Sequence, residues 1–201
     1  MLEESATHRA ELPRPDVAIA DAEAIFRDHF GLAGAIIELG SQQDRNFRID
    51  TGARRYVLKI CHAAYRTVEL EAQNAALKHL AAIPGMPRVP MPLPAKSGAD
   101  ILALDIGGQP CQVRLLDYLD GEPLTRRKFL PEATVAALGD VCGRVAKGLA
   151  DFDHPGLERQ IQWDLRQAPP IVSALLAAVT DETMLARITE AMEEAEHFVR
   201  P

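Results

Sequence analysis

Strand-like runs in this chain cluster between residues 35 and 116, and beyond Pro131 the pattern turns almost wholly helical. A doubly wound parallel sheet needs a helix after each strand, so that architecture is excluded. The segregation predicts an α+β fold, a β-rich lobe followed by a helical one. Ala35–Leu39, Asn46–Asp50 and Arg54–Ile60 read as the first three strands, the last two joined by a Thr51-Gly52 turn. Phe47 and Ile49 alternate with polar neighbours. Tyr56, Leu58 and Ile60 share one face of the third strand, while Val57 and Lys59 share the other. That alternation predicts an antiparallel meander, continued by Ile101–Leu104, a Gly107-Gly108 turn and Cys111–Leu119.

Helical signals separate these runs. Asp21 is placed to cap a short helix that stops at Gly31. A second helix is predicted over Tyr65–Ala82, with Val68, Ala72, Ala75 and His79 as its stripe, widened by Leu77 and Leu80. An antiparallel sheet packed against this second helix is the expected N-terminal lobe. Five prolines between Pro84 and Pro94 then exclude both helix interior and central strand. Further helices are predicted over Glu132–Leu149, from near Asp164, and over Glu182–Val199. The chain divides accordingly into a tail (1–20), a β-rich lobe (21–116), a crossover (117–130) and a helical part (131–201).

Composition narrows the function. With 22 Lys plus Arg against 29 Asp plus Glu, the net charge is −7. That balance disfavours a non-specific nucleic-acid binder and an anionic-membrane partner. The polar N-terminus has no signal-peptide core, no run is apolar enough to span a bilayer, and a cytoplasmic location is expected. Cys61, Cys111 and Cys142 are too widely spaced for a CxxC motif, and their apolar neighbours predict buried free thiols.

Lys59, in a strand, reads either as a solvated decoration or as a cation directed into a cleft to meet phosphate. Glu71, twelve residues on and close to the helix stripe, is the carboxylate expected to pair with it, because an unpaired buried charge is costly. The turn Gly40-Ser41-Gln42-Gln43-Asp44-Arg45-Asn46 reads as a plain hairpin loop or as an anion cradle, with Gly40 permitting a tight backbone path. No GxxxxGK[ST] motif occurs, which removes the P-loop ATPases, and no nucleophile-elbow pattern supports a hydrolase. Asp151, Asp153 and His154 lack the convergent ligands of a metal site, and Trp163 reads as an anchor of the helical part.

The loop Gly40–Asn46 with Phe47, the run YVLKI, the helix ELEAQNAALKHL and the segment VRLLDYLDGEPL together resemble the aminoglycoside phosphotransferase superfamily. The branch they resemble is that of the hydroxylysine-kinase-like and aminotransferase-associated phosphotransferases. The loop FDHPGLERQIQWDLRQAP is similar to that branch as well. The resemblance implies a protein-kinase-like fold with a five-stranded antiparallel N-lobe, one main helix and a helical C-lobe. It implies ATP as cofactor, with Gly40, Ser41, Gln42, Gln43 and Asn46 in the nucleotide-covering loop. Lys59 would contact phosphate with Glu71 as its helix partner. Adenine would lie against the crossover at Arg114, Leu115, Leu116, Asp117 and Tyr118, with Val57 and Leu116 as apolar walls. The implied acceptor is a small hydroxylated molecule such as an amino alcohol, amino acid, aminoglycoside or sugar, and a cationic one would suit the family.

The family's catalytic loop reads HGD with an asparagine five residues after the aspartate, followed by a further aspartate for magnesium. The only asparagines here are Asn46 and Asn74, and no HGD occurs. The expectation is therefore an N-terminal piece of a longer kinase-like chain, with a complete but non-catalytic nucleotide-binding relative or a protein-interaction domain as alternatives. No catalytic residue or magnesium ligand is assigned, and the isolated chain is expected to be inactive.

Overall fold

The computed structural model describes residues 14–159, 164–165 and 168–199; the tail before residue 14 and the anchor expected at Trp163 lie outside the described residues. The chain divides into two compact units, a larger one ending at Leu157 and a smaller one beginning at Glu158. The larger unit holds helix α1 (Ile19–Phe30) and strands β1 (Ala35–Leu39), β2 (Arg45–Asp50) and β3 (Arg55–His62). Helix α2 (Thr67–Ala82), strands β4 (Pro92–Leu93), β5 (Leu102–Ile106) and β6 (Gln109–Asp117), and helix α3 (Glu132–Gly148) follow. The smaller unit holds helices α4 (Ala168–Leu175) and α5 (Glu182–Val199).

All strand pairs are antiparallel, in the order β1-β2-β3-β6-β4, with β5 also on β6. Because β4 and β5 share one edge of β6, the sheet is five strands wide, as the family resemblance implies. The proline-rich stretch contributes only the two-residue edge strand β4, consistent with proline's missing N–H donor. Gly107 and Gly108, at φ 62° and 81°, form the two-residue hairpin turn between β5 and β6.

The core occupies one face of the sheet. Phe47, Ile49, Tyr56, Leu58, Ile60, Val113 and Leu115 alternate onto it, as the period-two pattern predicts for the first two strands of that set. Helix α2 packs on the sheet as expected, but on the polar face rather than over this core. Ala22, Ile25 and Phe26 of α1 seal the apolar face, with the Phe26 and Tyr56 rings 5.8 Å apart, while α2 meets the polar face through side-chain hydrogen bonds described below. Asp21 also has another role than the one expected: it lies at the third helical position, and its carboxylate accepts the Ala18 N–H at 2.9 Å. Gly31 does end α1.

Cys61 and Cys111 are buried, but Cys142 is exposed, on the solvent side of α3. Its apolar neighbours Val141 and Leu138 are exposed too, so local hydrophobicity misleads there. Burial pushes the Cys61 thiol up to about 12 and raises that of Cys111. A thiol-specific reagent at pH 8 should therefore modify Cys142 quickly in the native protein, and the other two only after denaturation. Two fast-reacting thiols would contradict this packing.

The turn Pro155–Leu157 packs on α2, and a Cβ at Gly156 would fall 2.0 Å from the Val68 carbonyl oxygen. Only glycine fits this contact without a backbone shift. Gly156→Ala should cost about 2 kcal/mol by overpacking, read as a lower urea midpoint with an unchanged slope. An unchanged midpoint would place the turn elsewhere.

Candidate functional site

The residues that alternate away from the core make a polar second face. Strand register aligns them in rows across β2, β3 and β6: Asn46, Lys59 and Arg114 in one, Arg48, Val57 and Leu116 in the next. Three cations on one sheet face require partners, because desolvated charge is costly. Arg114, only 4% exposed, donates from Nη1 to Asn74 Oδ1 at 3.1 Å and from Nη2 to Gln73 Oε1, both on α2. Gln112, on the same face, donates to the Tyr65 carbonyl just before that helix. The helix is thus held to the sheet by amides around a buried guanidinium.

Lys59 is held from the other side. Its Nζ donates to Asn46 Oδ1 at 3.0 Å and pairs with Asp44 Oδ2 at 3.1 Å. Glu71, the partner expected from sequence, is exposed on α2. The buried carboxylate of that helix is Glu69, 1% exposed, paired with Arg66 Nε at 2.8 Å. The inward stripe is Glu69, Leu70, Ala72, Asn74 and Leu80, rotated from the Val68–His79 stripe predicted. Ala72, Ala75 and Ala76 carry little phase information, and the polar Asn74 turns inward because Arg114 needs its oxygen.

The loop between β1 and β2 is fastened at several points. The Asp44 N–H donates to Ser41 Oγ at 3.3 Å, Tyr65 Oη donates to Gln43 Oε1 at 2.6 Å, and Arg14 Nε donates to the Asp44 carbonyl at 3.0 Å. Arg14 and Arg45 both bond Glu38, at 2.6 and 2.5 Å, and the Arg45 guanidinium holds the Glu38 carboxyl below its ordinary range. Gln42 is exposed. Gly40 has no left-handed φ and open space where a Cβ would lie, so the tight backbone path expected there is not what the loop requires. Between this loop, Cys61 of β3, Arg114 of β6 and α2 lies a cavity of about 230 Å³.

At the crossover, Leu116 is buried beside Val57 on the polar face, making an apolar wall. Leu115, 1% exposed, points to the opposite face and into the core, so its side chain lines no cleft; strand alternation separates it from its neighbours. Asp117 N–H donates to the Met91 carbonyl at 2.9 Å and Tyr118 N–H to the Arg55 carbonyl at 3.0 Å. The Asp117 carboxylate binds Arg88 at 2.9 Å and the Met91 N–H. The first crossover N–H without an acceptor among the described residues is that of Leu119. The Arg48 guanidinium lies 5.7 Å from the Tyr118 ring centroid, and its buried Nε has no hydrogen-bond partner among the described residues.

Arg48 and the Asn74–Gln73 pair were not expected at the site, and Asp44 was expected only as part of the Gly40–Asn46 loop, not as the partner of Lys59. Asp44 had a signal: it lies two residues before Asn46, on the same alternation as the residue that β-pairing sets opposite Lys59. Among the described residues no group of three or more His, Cys, Asp or Glu is placed to hold a metal, and no helix is long and apolar enough to cross a membrane.

Comparison with known proteins places this geometry. No curated protein sequence matches the chain. Solved structures do match by fold. A microcompartment-associated aminopropanol kinase is 18% identical, with a TM-score of 0.59 over 75% of this chain and 46% of its own. An amicoumacin kinase in complex with AMP-PNP, calcium and amicoumacin is 18% identical, with a TM-score of 0.61 over 98% and 56%. The aminoglycoside phosphotransferase APH(4)-Ia, as a thermostable mutant in its apo form, is 20% identical, with a TM-score of 0.58 over 88% and 59%. The chain thus spans about half the length of these structures. The model of the phosphotransferase enzyme family (APH) matches residues 35–199. On that match over most of its length, the chain belongs to the phosphotransferase enzyme family.

Proposed function

We propose that this chain is the nucleotide-binding part of an ATP-dependent kinase that phosphorylates a hydroxyl of a small, amine-bearing molecule. The observation that carries the reading is Lys59: a cation on the polar sheet face, one row from the Val57–Leu116 wall and paired with Asp44, which lines the cavity beside the β1–β2 loop. An adenine ring fits against such a wall, and an ammonium at that distance meets the phosphates as a point charge. Arg48 Nε, buried and without an acceptor among the described residues, lies on the crossover side, where a base or ribose would supply one. Asn46 accepts from the lysine ammonium and holds it in place. Amino-alcohol and antibiotic kinases among the fold matches support a cationic acceptor, and the sequence motifs favour the hydroxylysine-kinase-like branch.

The residues described do not fit magnesium. Asn46 and Asn74 already bond Lys59 and Arg114, and no acidic cluster faces the cavity, so no step through the metal is assigned to this chain. Nucleotide binding without turnover is the second reading: the chain's residues include no HGD and no asparagine beyond Asn74.

Calorimetric titration of AMP-PNP should detect binding to the chain and a loss of roughly tenfold or more in Lys59→Ala, since a hydrogen bond to a charged group contributes about 1.5–3 kcal/mol. Circular dichroism checks the fold. Equal affinity in the two folded proteins removes Lys59 from the site. Phosphorylation of amino-alcohol acceptors by this chain, abolished in Lys59→Ala, would exclude the reading without turnover.

A further inference from the structure

Lys59 has two partners, and they differ in what they do to an incoming anion. Asn46 is neutral and shares the ammonium at no electrostatic cost. Asp44 brings a full negative charge to 3.1 Å from the same nitrogen, with both side chains about four-fifths shielded from solvent. A carboxylate there occupies the place a phosphoryl oxygen would take. A polyphosphate arriving with Asp44 still seated would set like charges at ion-pair distance, where repulsion is strong in a partly desolvated site. The neighbouring cation offers little relief, because Arg114 is buried and bonded to α2.

The loop is built to keep Asp44 seated. Its carbonyl is held by Arg14, its N–H by Ser41, and the preceding Gln43 by the Tyr65 hydroxyl. Arg14 and Tyr65 lie outside the loop, before β1 and after β3, so it is braced from both sides.

We propose that Asp44 is a built-in competitor for the phosphate position on Lys59 and so sets the affinity of the site for nucleotide. This rests on the nucleotide reading above. The loop then has two arrangements: one with Asp44 on Lys59, and one in which the carboxylate has withdrawn and the ammonium meets phosphate. Apparent affinity is the intrinsic affinity multiplied by the fraction of molecules with a free lysine. Asp44→Asn removes the charge at nearly constant shape, and Tyr65→Phe removes the Gln43 brace while keeping the ring.

The test is calorimetric titration of AMP-PNP, and separately of tripolyphosphate, into the full chain, Asp44→Asn and Tyr65→Phe at one salt concentration, with circular dichroism as the fold check. If Lys59 is free in about one molecule in ten, Asp44→Asn should bind both probes about tenfold tighter, and Tyr65→Phe about threefold tighter. Should Asp44→Asn not fold, Tyr65→Phe decides alone. Binding by the parent chain with equal or weaker binding by the folded variants overturns the competitor and leaves the nucleotide reading standing. Failure of every protein to bind either probe overturns both.

Discussion

A guanidinium that is 4% exposed must be satisfied from within the protein, and that requirement on Arg114 organises the polar half of the structure. Its acceptors, Asn74 and Gln73, are side chains of α2, so hydrogen bonds locate the helix alongside its buried Leu70, Ala72 and Leu80. The apolar face of the sheet is left to α1. Each helix thus takes the face its own chemistry can cover. The rotation that brings Asn74 to Arg114 also turns Leu70 and Glu69 inward and leaves Glu71 in solvent.

With the helix committed to Arg114, the lysine one strand away is stabilised by β2 and the loop before it. Asp44 and Asn46 come from that segment, and Tyr65 and Arg14 brace it. The braced β1–β2 loop therefore carries the carboxylate that meets Lys59, while the sheet carries Lys59 itself. The crossover is fixed differently: Asp117 and Tyr118 spend their N–H groups on Met91 and Arg55, which anchors the chain where the Val57–Leu116 wall ends.

Much of this was legible in the residues. Phe47 and Ile49 with Tyr56, Leu58 and Ile60 mark the core face by period-two alternation, and Gly107-Gly108 marks its hairpin. The helices Glu132–Gly148 and Glu182–Val199 carry clear periodicity over many turns. Lys59 was legible as a cation set apart from the core face. Its partner was not, because the pairing depends on the β2–β3 register and on a loop whose path no local propensity dictates. The phase of α2 was hidden by its alanines and by inward polar residues. Leu115 was grouped with the crossover by position, although alternation alone sends it to the core. Cys142 sits on α3 among apolar residues that are themselves exposed.

On the proposed function, the polar face of the sheet receives nucleotide, from the β1–β2 loop to the crossover. Amide hydrogen exchange of the full chain with and without saturating AMP-PNP tests it most directly. The account predicts slowed exchange in three places, residues 40–46, the Val57–Lys59 stretch and Asp117–Leu119, with α4 and α5 unchanged. Protection confined to α4 and α5, or to the α1 side of the sheet, would contradict it.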